Sequence, residues 1–183
     1  MLKKIGVDFC PFDPDIDESQ FSSELPLEYV QRVARSKALT GQRENPGRLI
    51  LAADTVVSLG EKILGKPRNQ RETIRALEEL SGKQHKVMTS VVVIDESEKE
   101  RISTVTTYVL FRDLDSATIR AYASSGECVD KAGGYAIQGL GSVLVRGVRG
   151  SLSNVVGLPL KETIKLLNLV KIPNLFSSVT LSS

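Results

Sequence analysis

A long apolar run with one carboxylate inside it is the feature that most constrains this fold. Residues 48–60 have the sequence RLILAADTVVSLG, a continuous stretch of leucine, isoleucine, alanine and valine. Such a run is typical of a strand that is buried on both faces. Asp54 lies within it, and a buried carboxylate is costly unless it is paired or bound to a metal. Asp54 is therefore either a functional group or a carboxylate that caps a turn or pairs with an arginine.

Helix-start patterns occur at four other places in the chain. Pro26 is placed to begin a helix that continues to about Leu39. Asn69 with Glu72 forms a pair like a capping box, and the helix that follows is predicted to end at Gly82. Further helices are predicted after two other start residues, Asp115 and Pro159.

Strand patterns lie between these helices. The stretches HKVMTSVVVID and KERISTVTTYVLFRDL are predicted to pair as a hairpin, and DKAGGYAIQGLGSVLVRGVRG is predicted to form a glycine-studded strand pair. Because strands and helices alternate, the pattern predicts an α/β or mixed α+β fold. We expect one domain over residues 1–172 and a flexible serine-rich tail over residues 173–183.

Composition excludes several classes of function. The chain has 183 residues and a net charge of +2, which argues against a strongly electrostatic nucleic-acid binder. Its cysteines, Cys10 and Cys128, lie far apart, and its one histidine is His85. A disulfide framework, a cysteine-based zinc site and an HExxH site are therefore all disfavoured. No apolar run is long enough for a membrane span, so we expect a soluble cytoplasmic protein.

Two charged features in the first part of the chain are candidate site residues. Lys37 follows Val30 by seven residues, so its side chain lies near the apolar face of the first helix. It either extends along that face to solvent or reaches into a site. Glu18 belongs to the acidic stretch PDIDE, which is either a solvated loop or a source of oxygen ligands for a hard cation such as Mg²⁺.

Two further candidates lie later in the chain. Lys66 stands between Gly65 and Pro67, where an exposed lysine suits a phosphate group but is also ordinary on a surface. Gln138 lies in a glycine-rich stretch, which is either a tight hairpin or a place where backbone approaches a ligand closely. In the second case its amide would recognise a base edge through one donor and one acceptor. No phosphate-binding GxxxxGK[ST] motif is present, and GLGSVL lacks the third glycine of GxGxxG.

Taken together, these segments resemble the Maf family of nucleoside triphosphate pyrophosphatases. The matching stretches include PDIDES, VARSKA, LAADTVV with ILGKP, LEELSGKQHKVMT, SSGECVDKAGGYAIQG and NVVGLPL. The resemblance implies an α/β fold, with a mixed sheet and flanking helices, like that of inosine triphosphate pyrophosphatase. It also implies two lobes with a central cleft, a homodimer, and a divalent metal, Mg²⁺ or Mn²⁺.

The resemblance also implies roles for single residues. Asp54 corresponds to the proposed proton acceptor, and Lys37 and Lys66 correspond to catalytic pocket residues. Glu18 would bind substrate and, together with Asp54, the metal. The other two substrate-binding positions, which are linked to substrate choice, are Thr55 and Gln138. The combination of ADTV with AIQG resembles the branch of the family that acts on dTTP and UTP.

One part of the family pattern has no match in this sequence. Members of the family begin with a strand and an S-x-S-P-R-R motif, whereas this chain begins at the stretch that matches the end of the following helix. The arginines of that motif would bind the triphosphate. Two hypotheses therefore stand: an active pyrophosphatase, or a catalytically impaired protein that binds nucleotide or serves as a scaffold.

Overall fold

The computed structural model describes residues 1–129 and 131–178, and helices and strands alternate along this part of the chain. The strands and α-helices, in chain order, are α1 (Pro26–Glu44), β1 (Ile50–Leu59), β2 (Lys62–Leu64), α2 (Gln70–Leu80), β3 (Gln84–Ile94), β4 (Glu100–Phe111), α3 (Ser116–Ser124), β5 (Val145–Arg149), α4 (Leu152–Val155) and α5 (Leu160–Leu169). Short 3-10 helices lie at Leu2–Ile5, Ala132–Gly134 and Leu140–Leu144.

The strands form one five-stranded sheet in the order β2-β1-β3-β4-β5. The short strand β2 runs antiparallel to β1, with Val57 opposite Leu64. At the other edge β5 runs antiparallel to β4, with Tyr108 opposite Arg149. The turn between β3 and β4 is closed by a hydrogen bond from the backbone N–H of Asp95 to the carbonyl of Lys99. The predicted α/β class, a sheet with flanking helices, is confirmed.

The chain divides into two compact units. The first contains Met1–Asp54, Thr89–Val105 and the chain from Gly157 onward, and the second contains Thr55–Met88 and Thr106–Val156. The central cleft implied by the family resemblance stays a prediction. No helix in residues 1–129 and 131–178 is long and apolar enough to cross a membrane.

The first unit packs helices against both faces of its strand segments. On one face the core combines Ala34 and Ala38 of α1 with Val92 and Ile94 of β3. On the other face the core contains Val91, Val93, Leu158 and Leu166. Alternate residues of β3 therefore point to opposite helices, which explains why its sequence is continuously apolar.

The second unit has its own core, built on the later part of β1 and the facing segments of β3 and β4. The edges of three aromatic rings meet in it, with centroids 5.0 Å apart for His85 and Phe111 and 4.8 Å apart for Phe111 and Tyr135. The other members are mainly aliphatic side chains from α2, α3, the strands and the 3-10 helix Leu140–Leu144: Val57, Leu64, Leu77, Leu80, Val87, Val109, Ile119 and Leu144.

Two predicted helix starts are confirmed in atomic detail. The Asn69 side chain accepts a hydrogen bond from the backbone N–H of Glu72 at 2.9 Å and caps α2. Asp115 accepts one from the backbone N–H of Thr118 at 2.7 Å and caps α3. These caps satisfy backbone donors that have no partner inside the helix.

The predicted strand pair in the glycine-rich stretch is wrong. Residues 132–144 form two 3-10 helices joined by a loop, and among the described residues of the stretch only Val145–Arg149 is a strand. Gly133 and Gly134 have φ values of 71° and 74°, which lie in the left-handed region and interrupt a strand. A side chain at Gly133 would also meet Val57, because a Cβ there would lie 2.9 Å from the valine side chain.

The predicted tail lies partly outside the described residues. Residues 179–183 fall outside them, whereas residues 173–178 are described. There Leu175 donates a backbone hydrogen bond to the carbonyl of Ile5 at 2.9 Å. Its side chain lies against Gly6, where a Cβ would be 3.2 Å away.

Candidate active site

The packing of α1 on β1 brings Lys37 to Asp54. Ala52 of β1 packs in the cluster that contains Ala34 and Ala38 of α1. Side chains two residues apart on a strand share a face, so Asp54 points to the same side of the sheet as Ala52. Lys37 precedes Ala38 on the helix and extends to that carboxylate, with 2.7 Å between Nζ and Asp54 Oδ1.

Lys37 also contacts Glu18, so one ammonium group joins two carboxylates. Its Nζ lies 2.7 Å from Glu18 Oε1. The exposed fractions of the three side chains are 19% for Lys37, 11% for Asp54 and 41% for Glu18. The cluster is thus partly buried, and only its Glu18 side is widely open to solvent. We call these three residues the carboxylate–lysine cluster.

The loop that carries Glu18 is fastened to α1 by two side chains. The Tyr29 hydroxyl donates a hydrogen bond to the Glu18 carbonyl at 2.9 Å, and Arg32 donates one to the Ser19 carbonyl at 2.8 Å. Arg32 also pairs with Glu24 at 2.6 Å. The loop needs these contacts because it has no regular secondary structure, and they hold Glu18 beside the helix that carries Lys37.

The electrostatic environment keeps Lys37 charged. Burial alone lowers the pKa of Lys37, but its hydrogen bonds to Asp54 and Glu18 outweigh that effect and raise the pKa above its ordinary value of 10.5. Burial and the charges of Asp54 and Glu18 also raise the pKa of the neighbouring Tyr29. At neutral pH Lys37 is therefore a charged ammonium group between two acidic side chains.

The carboxylate–lysine cluster offers a divalent metal two acidic side chains, Glu18 and Asp54, which is fewer ligands than a site built from protein groups alone. Within residues 1–129 and 131–178, no group of three or more histidine, cysteine, aspartate or glutamate side chains is placed to hold a metal ion. Mg²⁺ is commonly bound by one or two protein carboxylates together with phosphate oxygens and water. Glu18 and Asp54 fit that pattern, because an oxygen of each lies 2.7 Å from the same Lys37 Nζ.

The other predicted site residues lie in the second unit. Lys66 is exposed, as expected, on a turn whose Gly65 carbonyl accepts a hydrogen bond from the Gly133 N–H at 3.1 Å. Gln138 is exposed in the loop that precedes the 3-10 helix Leu140–Leu144. Thr55 follows Asp54 in β1, so its side chain points to the opposite face of the sheet.

No sequence pattern singles out the residues that hold the two loops. Tyr29 and Arg32 on α1 hold the Glu18 loop, and Tyr122 and Glu127 contact the loop that carries Gln138. These contacts depend on tertiary packing rather than on a local motif. The only available indication for Glu127 is its place in the stretch SSGECVDKAGGYAIQG, which matches the family.

Comparison with known proteins shows which family this chain belongs to. A family model described as "Maf-like protein" matches residues 1–170. A dTTP/UTP pyrophosphatase of Alcanivorax borkumensis is 46% identical over 175 residues, which cover 94% of this chain and 90% of that protein. A dTTP/UTP pyrophosphatase of Sphingopyxis alaskensis is 49% identical over 160 residues, covering 87% and 84%. The protein of the same name from Myxococcus xanthus is 46% identical over 173 residues, covering 94% and 87%. This chain therefore belongs to the Maf-like protein family.

Proposed function

We propose that this protein is a nucleoside triphosphate pyrophosphatase that hydrolyses dTTP and UTP to the nucleoside monophosphate and pyrophosphate. The observation that carries the proposal is the contact of Lys37 with both Asp54 and Glu18 at 2.7 Å. In this proposal the contact joins Asp54 as the base, Glu18 as a ligand of the metal and Lys37 as a fixed positive charge. The names of the relatives support the choice of substrate.

The reaction requires water to attack the α-phosphorus while the bond to the bridging oxygen breaks. Asp54 accepts a hydrogen bond from that water and takes its proton, and pyrophosphate leaves with the bridging oxygen. Lys37 fixes the orientation of the Asp54 carboxylate and stabilises negative charge that develops on the phosphate oxygens. Lys66 is exposed on its turn and serves as a point charge for the leaving pyrophosphate.

Glu18 and Asp54 would hold the divalent metal together with the phosphates. When bound, Mg²⁺ or Mn²⁺ supplies charge neutralisation at the α–β linkage. Thr55 and Gln138 select the base in this proposal. The exposed amide of Gln138 offers one donor group and one acceptor, which a pyrimidine edge with an N–H and a carbonyl can pair. We also place the protein in the cytoplasm, in keeping with its two free cysteines, Cys10 and Cys128.

Substitution of Asp54 tests this proposal. The change Asp54→Asn keeps the shape of the side chain but removes the base, so we expect pyrophosphate release from dTTP to fall by about 10²–10⁴-fold. Circular dichroism should show a retained fold. The matched control is Asp13→Asn, the same change at an exposed position, which should leave turnover within about twofold of the unmodified protein.

An active pyrophosphatase and a catalytically impaired nucleotide-binding protein give different results in this assay. Turnover close to that of the unmodified protein in the Asp54→Asn variant would exclude Asp54 as the base. Binding of dTTP by calorimetry, with no pyrophosphate released by the unmodified chain, would instead favour a nucleotide-binding protein without catalysis.

A further inference from the structure

The loop that presents Gln138 is not held by strand pairing. Gln138 is exposed, whereas Gly141 at the end of the loop is buried. The segment lies between a 3-10 helix at Ala132–Gly134 and another at Leu140–Leu144, so no strand ladder fixes its backbone. The backbone hydrogen bonds from Gly139 to Ala136 and from Ser142 to Gly139 are local, so contacts with side chains elsewhere in the second unit help to fix its position.

Glu127 provides two of these contacts. Its Oε1 accepts a hydrogen bond from the backbone N–H of Leu140 and its Oε2 accepts one from the N–H of Gly141, both at 2.8 Å. Burial raises the pKa of Glu127, but these hydrogen bonds and that of the Tyr122 hydroxyl have the larger combined effect and lower it. The carboxylate is therefore ionised at neutral pH and acts only as an acceptor, which suits two N–H donors.

Tyr122 holds the other end of the loop. Its hydroxyl accepts a hydrogen bond from the backbone N–H of Ala136 at 3.0 Å and donates one to Glu127. Tyr122 is buried on α3, and this burial raises the pKa of its hydroxyl, which stays protonated. One connected pair of side chains therefore fixes the backbone on both sides of Gln138.

The glycines of the loop are fitted to this pair. A Cβ at Gly139 would overlap the Glu127 carboxylate. A Cβ at Gly141 would lie 2.5 Å from the Ala136 carbonyl and 3.0 Å from the Tyr122 hydroxyl. Both positions have a glycine because the loop closes directly around the two side chains.

We infer that Glu127 and Tyr122 are positioning residues for base discrimination, an inference that rests on the proposed function of Gln138. Thymine and uracil present an N–H donor and a carbonyl acceptor where cytosine presents the reverse. A glutamine amide pairs with either arrangement if it can rotate by half a turn, since its oxygen and nitrogen are similar in shape. A fixed backbone limits the distance and direction from which the Gln138 amide can reach the base edge, and so favours one pairing geometry. Loosening the loop should therefore reduce the preference for UTP over CTP.

The first test measures kcat/KM for dTTP, UTP and CTP in the variant Glu127→Ala. We expect the ratio of UTP to CTP to fall at least tenfold, with KM for UTP raised and kcat for dTTP within about threefold of the unmodified protein. The variant Tyr122→Phe removes one hydroxyl and should change the ratio in the same direction by less. The control Glu61→Ala makes the same truncation at an exposed position of the second unit and should leave the ratio unchanged.

A double-mutant cycle with Gly139→Ala adds a geometric test. Alone, Gly139→Ala should lower the UTP to CTP ratio because its methyl group meets the Glu127 carboxylate. In the Glu127→Ala background that carboxylate is absent, so adding Gly139→Ala should cause little further loss. Equal losses from Gly139→Ala in both backgrounds would overturn the inference.

The outcomes separate this inference from the proposed function. An unmodified protein that hydrolyses none of the three nucleotides refutes the proposed function. An unmodified protein that prefers UTP, with Glu127→Ala retaining the same preference, refutes the positioning role alone. A uniform loss of turnover on all three nucleotides, with a lowered melting temperature, would show that Glu127 serves only the fold.

Discussion

The partly buried ammonium group of Lys37 is stabilised by two acidic side chains. Its ammonium is 2.7 Å from both Glu18 and Asp54, and these contacts raise its pKa above 10.5. Its charge therefore contributes stability at every pH below the ordinary value, and that contribution is lost only as pH rises through the raised pKa. Lys37 therefore stays positively charged through the neutral range, and a positive charge is what a phosphate group requires.

The pKa of His85 is lowered in the folded protein, whereas that of Lys37 is raised. The His85 side chain is buried at 1% exposure between Phe111 and Tyr135, with 2.8 Å between Nε2 and the Tyr135 hydroxyl oxygen. Its Nδ1 has no hydrogen-bond partner among the described residues. This burial lowers the pKa of His85 from 6.5 to about 4. The histidine is therefore neutral in the folded protein at pH 7.

We predict a loss of stability in acid that depends on His85. In the unfolded chain the His85 imidazole takes up a proton as pH falls through 6.5, whereas in the folded chain it does so only near pH 4. The free energy of unfolding therefore decreases as pH falls from 6.5 to about 4. Between pH 7 and pH 4 the free energy of unfolding should decrease by about 3 kcal/mol more in the unmodified protein than in His85→Gln. Urea unfolding at both pH values measures this, and equal decreases in the two proteins would refute it.

The attachment of α4 to the sheet shows how one short element is fixed. Thr107 of β4 donates a hydrogen bond to the Ser151 carbonyl at 3.1 Å and accepts one from the Ser151 N–H at 3.0 Å. Asn154 of α4 donates to the same Thr107 oxygen at 3.0 Å and to the Val87 carbonyl at 2.9 Å. A helix of four residues is too short to be stable alone, so these contacts determine its position.

The variant Thr107→Val tests this attachment. It keeps the shape of the side chain but leaves the polar groups of Ser151 and Asn154 without the hydroxyl, so we expect a loss of roughly 2–3 kcal/mol in the free energy of unfolding. The neighbouring Thr106→Val makes the same change on the other face of β4 and should cost less than about 0.5 kcal/mol. Similar losses at both positions would show that the network contributes little.

Elements with a local cause could be predicted from the sequence, and elements that depend on distant contacts could not. The caps of α2 and α3 need only Asn69 and Asp115 and the residues that follow them. The Gln138 loop depends on Glu127 and Tyr122. Gly133 and Gly134, which precede the loop, have left-handed φ values where the sequence pattern predicts a strand. Periodicity describes regular elements and contains no information on how an irregular loop is held.

The carboxylate–lysine cluster shows the same difference between what local sequence predicts and what distant contacts determine. The sequence showed that Asp54 needs a partner and that Lys37 lies near the apolar face of α1, but it left open whether the lysine extends to solvent. The contact of Ala52 with the α1 cluster decides this, because it turns Asp54 toward the helix. The partner of Asp54 is then a lysine rather than the arginine that the sequence had left open.

At the scale of the whole molecule we predict a homodimer, as the family resemblance implies. Large apolar side chains are exposed in the second unit, including Val143 at 61% and Leu152 at 54%. A subunit contact that covered such side chains would remove apolar surface from water and stabilise the pair. Light scattering should give a mass about twice the 20.0 kDa of the chain, and a monomer at micromolar concentration would contradict the prediction.

The most direct test of the whole account is the identity of the products formed from dTTP by the unmodified chain with Mg²⁺ or Mn²⁺. Attack at the α-phosphorus produces dTMP and pyrophosphate in equal amounts, and anion-exchange chromatography separates both from dTDP and phosphate. We predict dTMP and pyrophosphate, with product formation largely lost in Asp54→Asn. Formation of dTDP and phosphate, or no product at any metal concentration, would contradict it.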